Sequence, residues 1–253
     1  MLKATGLSCA RSGKTILSGI DVELCGGEVV VVLGTNGAGK STLLGTLTGE
    51  LAPAAGEVRL AGRALPDWPL GERARRLAVL PQASSLAFAF TVCEVVAMSR
   101  MPHHTGVQID QRIIQEAMHA ADVAHLASRS YLKLSGGERQ RVHLARVMAQ
   151  IWESDQACLI MDEPTASLDL AHQQLILEQA RRIASQGGAV LVVLHDLNLA
   201  ARYADRILLL DRGGRVALGT PWDVLQAERI EQVFGVSVQV TRHPAQDSPL
   251  IIV

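Results

Sequence analysis

The sequence predicts an α/β fold around a parallel sheet, and three observations carry that prediction. The run Val29-Val30-Val31-Val32-Leu33 is apolar and β-branched without interruption, as a strand covered on both faces must be. A glycine-rich loop ends it, and Ser41 to Gly49 reads as the helix that follows. Two further apolar runs, Cys158-Leu159-Ile160-Met161 and Ala189-Val190-Leu191-Val192-Val193-Leu194, fit buried parallel strands. Between them Leu170 to Gln186 is rich in Leu, Ile, Ala and Gln and reads as a helix stopped by Gly187-Gly188. Strands alternating with helices in this way are the pattern of α/β cores.

Other segments read differently. From Asp110 to Ala127, the residues Ile113, Ile114, Ala117, Met118, Ala121 and Leu126 recur at helical spacing with no buried strand nearby. This predicts a helical subdomain over residues 84–134, inserted into a core made of residues 1–83 and 135–220, within one domain spanning 1–253. Pro53 to Val58 is a turn into a strand. Residues 221–253 are expected to form a helix and a small β-hairpin. There Val236-Ser237-Val238-Gln239-Val240 alternates, His243 to Pro249 breaks the pattern, and Leu250-Ile251-Ile252 resumes it.

Composition narrows the classes. At 253 residues and 48% hydrophobic content, the chain can bury one large core or two small ones. A net charge of −1 gives no support to a nucleic-acid partner. No stretch approaches the roughly 18 to 20 apolar residues of a membrane span, and Met1 to Gly6 does not open a signal peptide. The expectation is a cytosolic chain that meets a membrane through a partner. Cys9, Cys25, Cys93 and Cys158 are scattered without CxxC spacing and read as small buried hydrophobes, not as a metal site or disulfide framework.

The loop Gly34-Thr35-Asn36-Gly37-Ala38-Gly39-Lys40-Ser41-Thr42 lies between a strand and a helix, the setting in which such a glycine loop holds phosphate. Its glycines let backbone N–H groups point inward, and the helix N-terminus adds its dipole. Lys40 would neutralise β/γ-phosphate charge, Ser41 would ligate Mg²⁺, and Thr42 would add a hydroxyl toward the α- or β-phosphate. Asp162 and Glu163 follow an apolar strand, so they emerge at its carboxyl end, where α/β sheets place ligands. Asp162 is the natural Mg²⁺ partner, and Glu163 can polarise an attacking water.

A second glycine turn, Leu134-Ser135-Gly136-Gly137-Glu138-Arg139-Gln140, comes about a hundred residues after the first. It precedes a helical stretch, Glu138 to Gln150, so Ser135, Gly136 and Gly137 offer hydroxyl and N–H donors at a helix N-terminus. With Gln82, Asp162-Glu163, Ser167-Leu168-Asp169 and His195, these turns give six elements in order. The chain, over roughly residues 2 to 220, resembles the nucleotide-binding subunit of a bacterial ATP-binding-cassette (ABC) importer.

The resemblance implies an ABC-type ATPase core with a parallel sheet, an inserted helical subdomain and a peripheral antiparallel β part near the N-terminus. It implies ATP and Mg²⁺ as ligands and a second copy of the chain as partner. Two ATPs are then sandwiched, with Ser135, Gly136, Gly137 and Asp169 serving the opposite subunit's site. It assigns catalysis to Glu163, His195, Lys40 and Gln82. His195 holds the γ-phosphate and attacking water in line. Gln82 contacts Mg²⁺ and links the ATP state to two permease subunits met through the helical subdomain. A periplasmic binding protein is an indirect partner. The location implied is peripheral, on the cytoplasmic face of the inner membrane. In the family an aromatic residue stacks on adenine near Arg11-Ser12-Gly13, yet no aromatic occurs between residues 1 and 67. Arg11 can stack on a base through its guanidinium, or it is simply solvated.

The chain most resembles the hemin-import members within the iron-complex, heme and vitamin B12 group. Leu80 to Val92 and Gln150-Ile151-Trp152 carry that likeness. Ferric siderophore and B12 import remain the alternatives, with a soluble iron–sulfur assembly ATPase as the rival outside transport. Met101-Pro102-His103-His104 suggests a heme ligand, but the better reading is a loop of the helical subdomain, with no direct cargo binding. Arg63, Arg73, Arg75 and Arg76 form a basic cluster that is solvated or faces membrane or permease.

Overall fold

The computed structural model describes residues 1–11, 13–82, 86–166 and 168–253. Leu2–Arg11 (β1) and Lys14–Leu24 (β2) pair antiparallel, and Val29–Gly34 (β3) follows. After the helix Lys40–Thr48 (α1), Ala55–Leu60 (β4) and Arg63–Ala64 (β5) return to β1. Among the described residues these give an antiparallel sheet ordered β2-β1-β4-β5. Leu70–Ala74 (α2) then leads to Leu77–Leu80 (β6), and the helices Val92–Ala97 (α3), Val107–Ala120 (α4) and Gly136–Ile151 (α5) succeed it.

The core resumes with Cys158–Asp162 (β7), Leu170–Ser185 (α6), Ala189–Val193 (β8), Leu197–Tyr203 (α7), Arg206–Asp211 (β9) and Gly214–Gly219 (β10). The central sheet runs β10-β9-β3-β8-β7-β6, parallel except for β10. Pro221–Val224 (α8), Ala227–Phe234 (α9) and the hairpin Gln239–Arg242 (β11) with Pro249–Ile252 (β12) close the chain. No helix among the described residues is long and apolar enough to cross a membrane.

The period of two along a strand explains why β3 has no polar residue. Val30 and Val32 pack with Leu2, Leu17 and Leu43 of the antiparallel sheet and α1, while Val29, Val31 and Leu33 pack with the helices on the other face. A fully buried Val or Leu side chain stabilises by about 1.5–3 kcal/mol. One polar substitution in this strand would forfeit that and strand a polar group besides.

Two elements depart from the sequence reading. The helical spacing read from 110 to 127 is carried by a helix only as far as Ala120. Asp122 turns to φ 53, and its N–H and that of Val123 bond back to the carbonyls of His119 and Met118. That is the left-handed helix stop usually made by glycine, which Asp tolerates. Helical apolar spacing ran on because Val123 and Leu126 are buried in the same core after the helix has ended. The C-terminal strand begins at Gln239, not Val236. Val238 and Val240 both pack on the core, so burial alternates before the ladder starts.

The cysteine reading holds for buried Cys9 and Cys158 and fails for Cys25 and Cys93, which are exposed. In the basic cluster, Arg63 and Arg76 each lie 5.4 Å from the Trp68 ring, Arg63 donates to the Asp67 carbonyl, and Arg76 donates to Gln156. These two arginines hold the β5–β6 connection together.

One polar network fixes the helical segment. Arg100 is 5% exposed. Its guanidinium meets Asp110 in the first turn of α4 at 2.8 Å, and donates to the Ala149 carbonyl of α5 (2.8 Å) and to Thr105 (3.0 Å). Asp110→Ala leaves a buried cation without its counter-charge, at a cost of about 3 kcal/mol. For a chain of this size that is a melting temperature lower by ~6 to 12 °C. The Thr105 hydroxyl and then Arg100 hold the Asp110 carboxyl below its ordinary value of 3.8. Its contribution is therefore full above that value and fades as pH falls through the depressed one. Thermal melts followed by circular dichroism check both. A shift under about 2 °C at neutral pH refutes this account of the network.

Candidate active site

The phosphate loop is shaped by two glycines that leave no room for a side chain. Gly34 has φ 153, and a Cβ there would sit 2.4 Å from the Leu210 carbonyl oxygen; Gly39 has φ 99, and a Cβ would sit 2.6 Å from Leu17 Cδ2. A second turn buttresses the loop: the Gly213 N–H donates to the Ala38 carbonyl at 3.2 Å, and the Ser18 N–H to the Gly213 carbonyl at 3.0 Å. Leu17, Leu210 and Gly213 were not found from sequence. The Gly213-Gly214 pair between two apolar runs was the available signal.

Lys40 opens α1 and is 7% exposed. Its Nζ donates to the carbonyls of Gly34 (2.8 Å) and Thr35 (3.1 Å). Burial pulls its pKa down, and the carboxylates of Glu163 and Asp162 work against that pull. Ser41 beside it is exposed and Thr42 half-buried. At the end of β7, burial first and the neighbouring Glu163 second push the Asp162 carboxyl up, while Lys40 and His195 hold it down.

Glu163 takes φ 46, a left-handed conformation that costs a non-glycine residue about 1–2 kcal/mol. It is held from two sides: His195 Nε2 lies 2.5 Å from Oε1, and Gln82 Nε2 donates to Oε2 at 2.6 Å. Gln82 follows β6, Glu163 follows β7 and His195 follows β8. Three adjacent parallel strands thus deliver three polar side chains to one point at their carboxyl ends.

The second glycine turn lies elsewhere in the chain. Ser135 caps α5, accepting from the Glu138 N–H at 3.3 Å while Glu138 accepts from the Ser135 N–H at 2.6 Å. Gln140 donates to the Pro164 carbonyl, and a Cβ on Gly137 would lie 3.2 Å from Leu168. Among the described residues, no hydrogen bond or ion pair joins Ser135, Gly136 or Gly137 to residues 34–42. Asp169 caps α6, accepting from the His172 N–H (2.9 Å) and meeting its ring at 2.8 Å. Arg11 is exposed at the end of β1. Ser12, Ser167 and residues 83–85 lie outside the described residues. His103 Nε2 is engaged by the Gln150 carbonyl at 2.8 Å, and burial lowers its pKa.

The donors at this point are hydroxyl, carboxylate and amide. Among the described residues no group of three or more His, Cys, Asp or Glu is placed to hold a metal by itself. A hard ion that uses one carboxylate, waters and substrate phosphates fits this set, which is the habit of Mg²⁺.

Residues 17–166 match the sequence model of the family described as ABC transporter. The chain is 57% identical to the hemin import ATP-binding protein HmuV of Pseudomonas entomophila, covering 100% of this chain and 99% of that one. It is 56% identical to the protein of that name from Pseudomonas aeruginosa, with 100% and 99% covered. For the one from Gloeobacter violaceus the identity is 55%, with 100% and 94% covered. An ATP-binding subunit of an ABC transporter superimposes with a TM-score of 0.81 at 25% identity, over 94% of this chain and 95% of its own. A transporter described as of metal-chelate type, solved in an inward-facing conformation, gives 0.82 at 28% identity over 99% and 96%. With the family model spanning more than half of the chain and these relatives covering all of it, the chain belongs to the ABC transporter family, as an ATP-binding subunit that couples ATP hydrolysis to transport.

Proposed function

We propose that this subunit powers the import of hemin, working from the cytoplasmic face of a bacterial inner membrane. The observation that carries the cargo is the 55–57% identity, along the whole length, to proteins named for hemin import. The chain itself does not touch hemin. Two permease subunits dock on the helical segment 84–134, and a periplasmic binding protein delivers cargo to them.

At the site, the N–H groups of residues 34–42 cradle the phosphates of ATP, and Lys40 neutralises the β- and γ-phosphates. Ser41, Asp162 and Gln82 would hold Mg²⁺, which supplies charge neutralisation on the phosphate oxygens. Glu163 orients and polarises a water that attacks the γ-phosphorus as the bond to the bridging oxygen of ADP breaks. His195, next to that carboxylate, keeps water and γ-phosphate in line. A second copy of the chain completes each site with Ser135, Gly136, Gly137 and Asp169. This reading is supported by where Ser135 to Gly137 sit: they open α5, with Gly137 beside Leu168, and among the described residues they make no hydrogen bond to residues 34–42 of their own chain. Arg11 stacks on the adenine.

Growth tests the cargo. An iron-starved strain lacking this chain is fed hemin, a ferric siderophore or an inorganic iron salt, and complemented with wild type or Glu163→Gln. Loss of growth on hemin alone, restored by wild type and not by the variant, is the expected result. Normal growth on hemin removes the cargo assignment.

A further inference from the structure

Two hydrogen bonds tie the short helix after His195 to the C-terminal hairpin. Asn198 Nδ2 donates to the Ile251 carbonyl at 3.0 Å, and the Ile251 N–H donates to Asn198 Oδ1 at 2.8 Å. The carboxamide meets Ile251 as the peptide of a neighbouring strand would, acceptor to donor and donor to acceptor. Ile251 is itself fixed: it pairs with Val240 across the hairpin and is 4% exposed in the main core.

Asn198 stands in the first turn of α7, where the Asp196 carboxylate accepts from the N–H groups of Asn198 (2.8 Å) and Leu199 (2.9 Å). His195 immediately precedes that cap. On its other side the chain is held by the Leu194 N–H bonded to the Val32 carbonyl at 3.2 Å. The imidazole is half exposed, with 49% of the side chain open, so packing alone does not place it. Its distance to Glu163 is set by the backbone at both ends, and the C-terminal end is only as firm as α7.

We propose that Asn198 is a positioning residue for ATP hydrolysis: by pinning α7 to β12 it sets where His195 stands relative to Glu163 and the attacking water. The inference rests on the reading of His195 given above. A misplacement of about 1 Å in such a group costs on the order of 100-fold in rate. ATP binding depends on the loop between β3 and α1, which α7 does not form, so the loss falls on kcat.

The test uses purified full-length protein, with steady-state ATPase rates and equilibrium ATP binding for Asn198→Ala, His195→Ala and the double variant. Asn198→Ala is expected to lower kcat by roughly 10- to 100-fold while ATP affinity stays within about threefold. The double variant is expected to be no slower than His195→Ala alone, because the asparagine acts only through the histidine. Should Asn198→Ala not fold, Asn198→Asp is read in its place; it keeps the acceptor for the Ile251 N–H and sets a carboxylate against the Ile251 carbonyl. Wild-type kcat in the asparagine variant, with His195→Ala slow, overturns the tie alone. So does an asparagine effect of equal size with and without His195. Wild-type kcat in His195→Ala overturns the underlying reading of the histidine, and the tie with it.

Discussion

Glu163→Gln is expected to lose about 10²- to 10⁴-fold in ATP hydrolysis while binding ATP as the wild type does. The substitution keeps the size and one carbonyl oxygen of the side chain and removes its capacity to take a proton from water. The hydrogen bonds of the phosphate cradle are kept, because Lys40 and its carbonyl partners Gly34 and Thr35 belong to the β3–α1 loop, and the Asp162 carboxylate still faces the lysine once the Glu163 charge is gone. The left-handed backbone at Glu163 is as strained with glutamine as with glutamate, so the substitution adds no backbone cost of its own. If two ATPs are shared between two copies, hydrolysis is what opens the pair. The slow variant should then accumulate at twice the 27.1 kDa of one chain in saturating ATP and Mg²⁺, as measured by light scattering. A variant that stays monomeric under those conditions removes the shared-site reading. A variant that hydrolyses ATP within tenfold of wild type removes Glu163 as the group that activates water.

What could be read before folding was what is local or repulsive to side chains. The glycine loop was legible because Gly34 and Gly39 leave no space for a Cβ, a restriction that residue type announces. The start of α5 was nearly legible, for the Ser135–Glu138 cap spans three residues, although the helix begins two positions before the one expected. The antiparallel part in front of β3 was named without its register. The end of α4 was missed because apolar spacing reports burial, and burial continues past Asp122.

Contacts between distant segments were illegible in principle. Nothing in the order of residues says that Leu210 and Leu17 wall the phosphate loop, that Arg100 reaches the Ala149 carbonyl, or that Asn198 meets Ile251. Gln82, Glu163 and His195 were nominated together through the resemblance, from three segments and without their geometry. That both neighbours hold the same carboxylate within 2.6 Å is a consequence of β6, β7 and β8 lying side by side.

Lys40→Met should give the opposite signature, a protein that folds but scarcely binds ATP. Methionine reproduces the length of the lysine stem without its charge or its N–H donors. The ammonium is nearly enclosed, and truncating one partner of a buried, hydrogen-bonded charge pair costs about 2–5 kcal/mol, or roughly 30- to 4,000-fold in Kd. Two opposing effects keep the fold close to wild type. The variant leaves the Gly34 and Thr35 carbonyls without this donor, but it also removes an ammonium whose burial is already unfavourable enough to lower its pKa. Net stability is therefore expected to move by no more than about 1 kcal/mol. Lys40→Arg is not a safe replacement, since a planar guanidinium presents a rigid fork of donors and cannot act as a compact point charge. Competition binding with a fluorescent ATP analogue, run beside thermal melts, separates the outcomes. Wild-type affinity in Lys40→Met would mean that the lysine only braces the loop through Gly34 and Thr35. Lost affinity with an unchanged melt means that its charge is aimed at phosphate, and that binding and hydrolysis are carried by different side chains of one site.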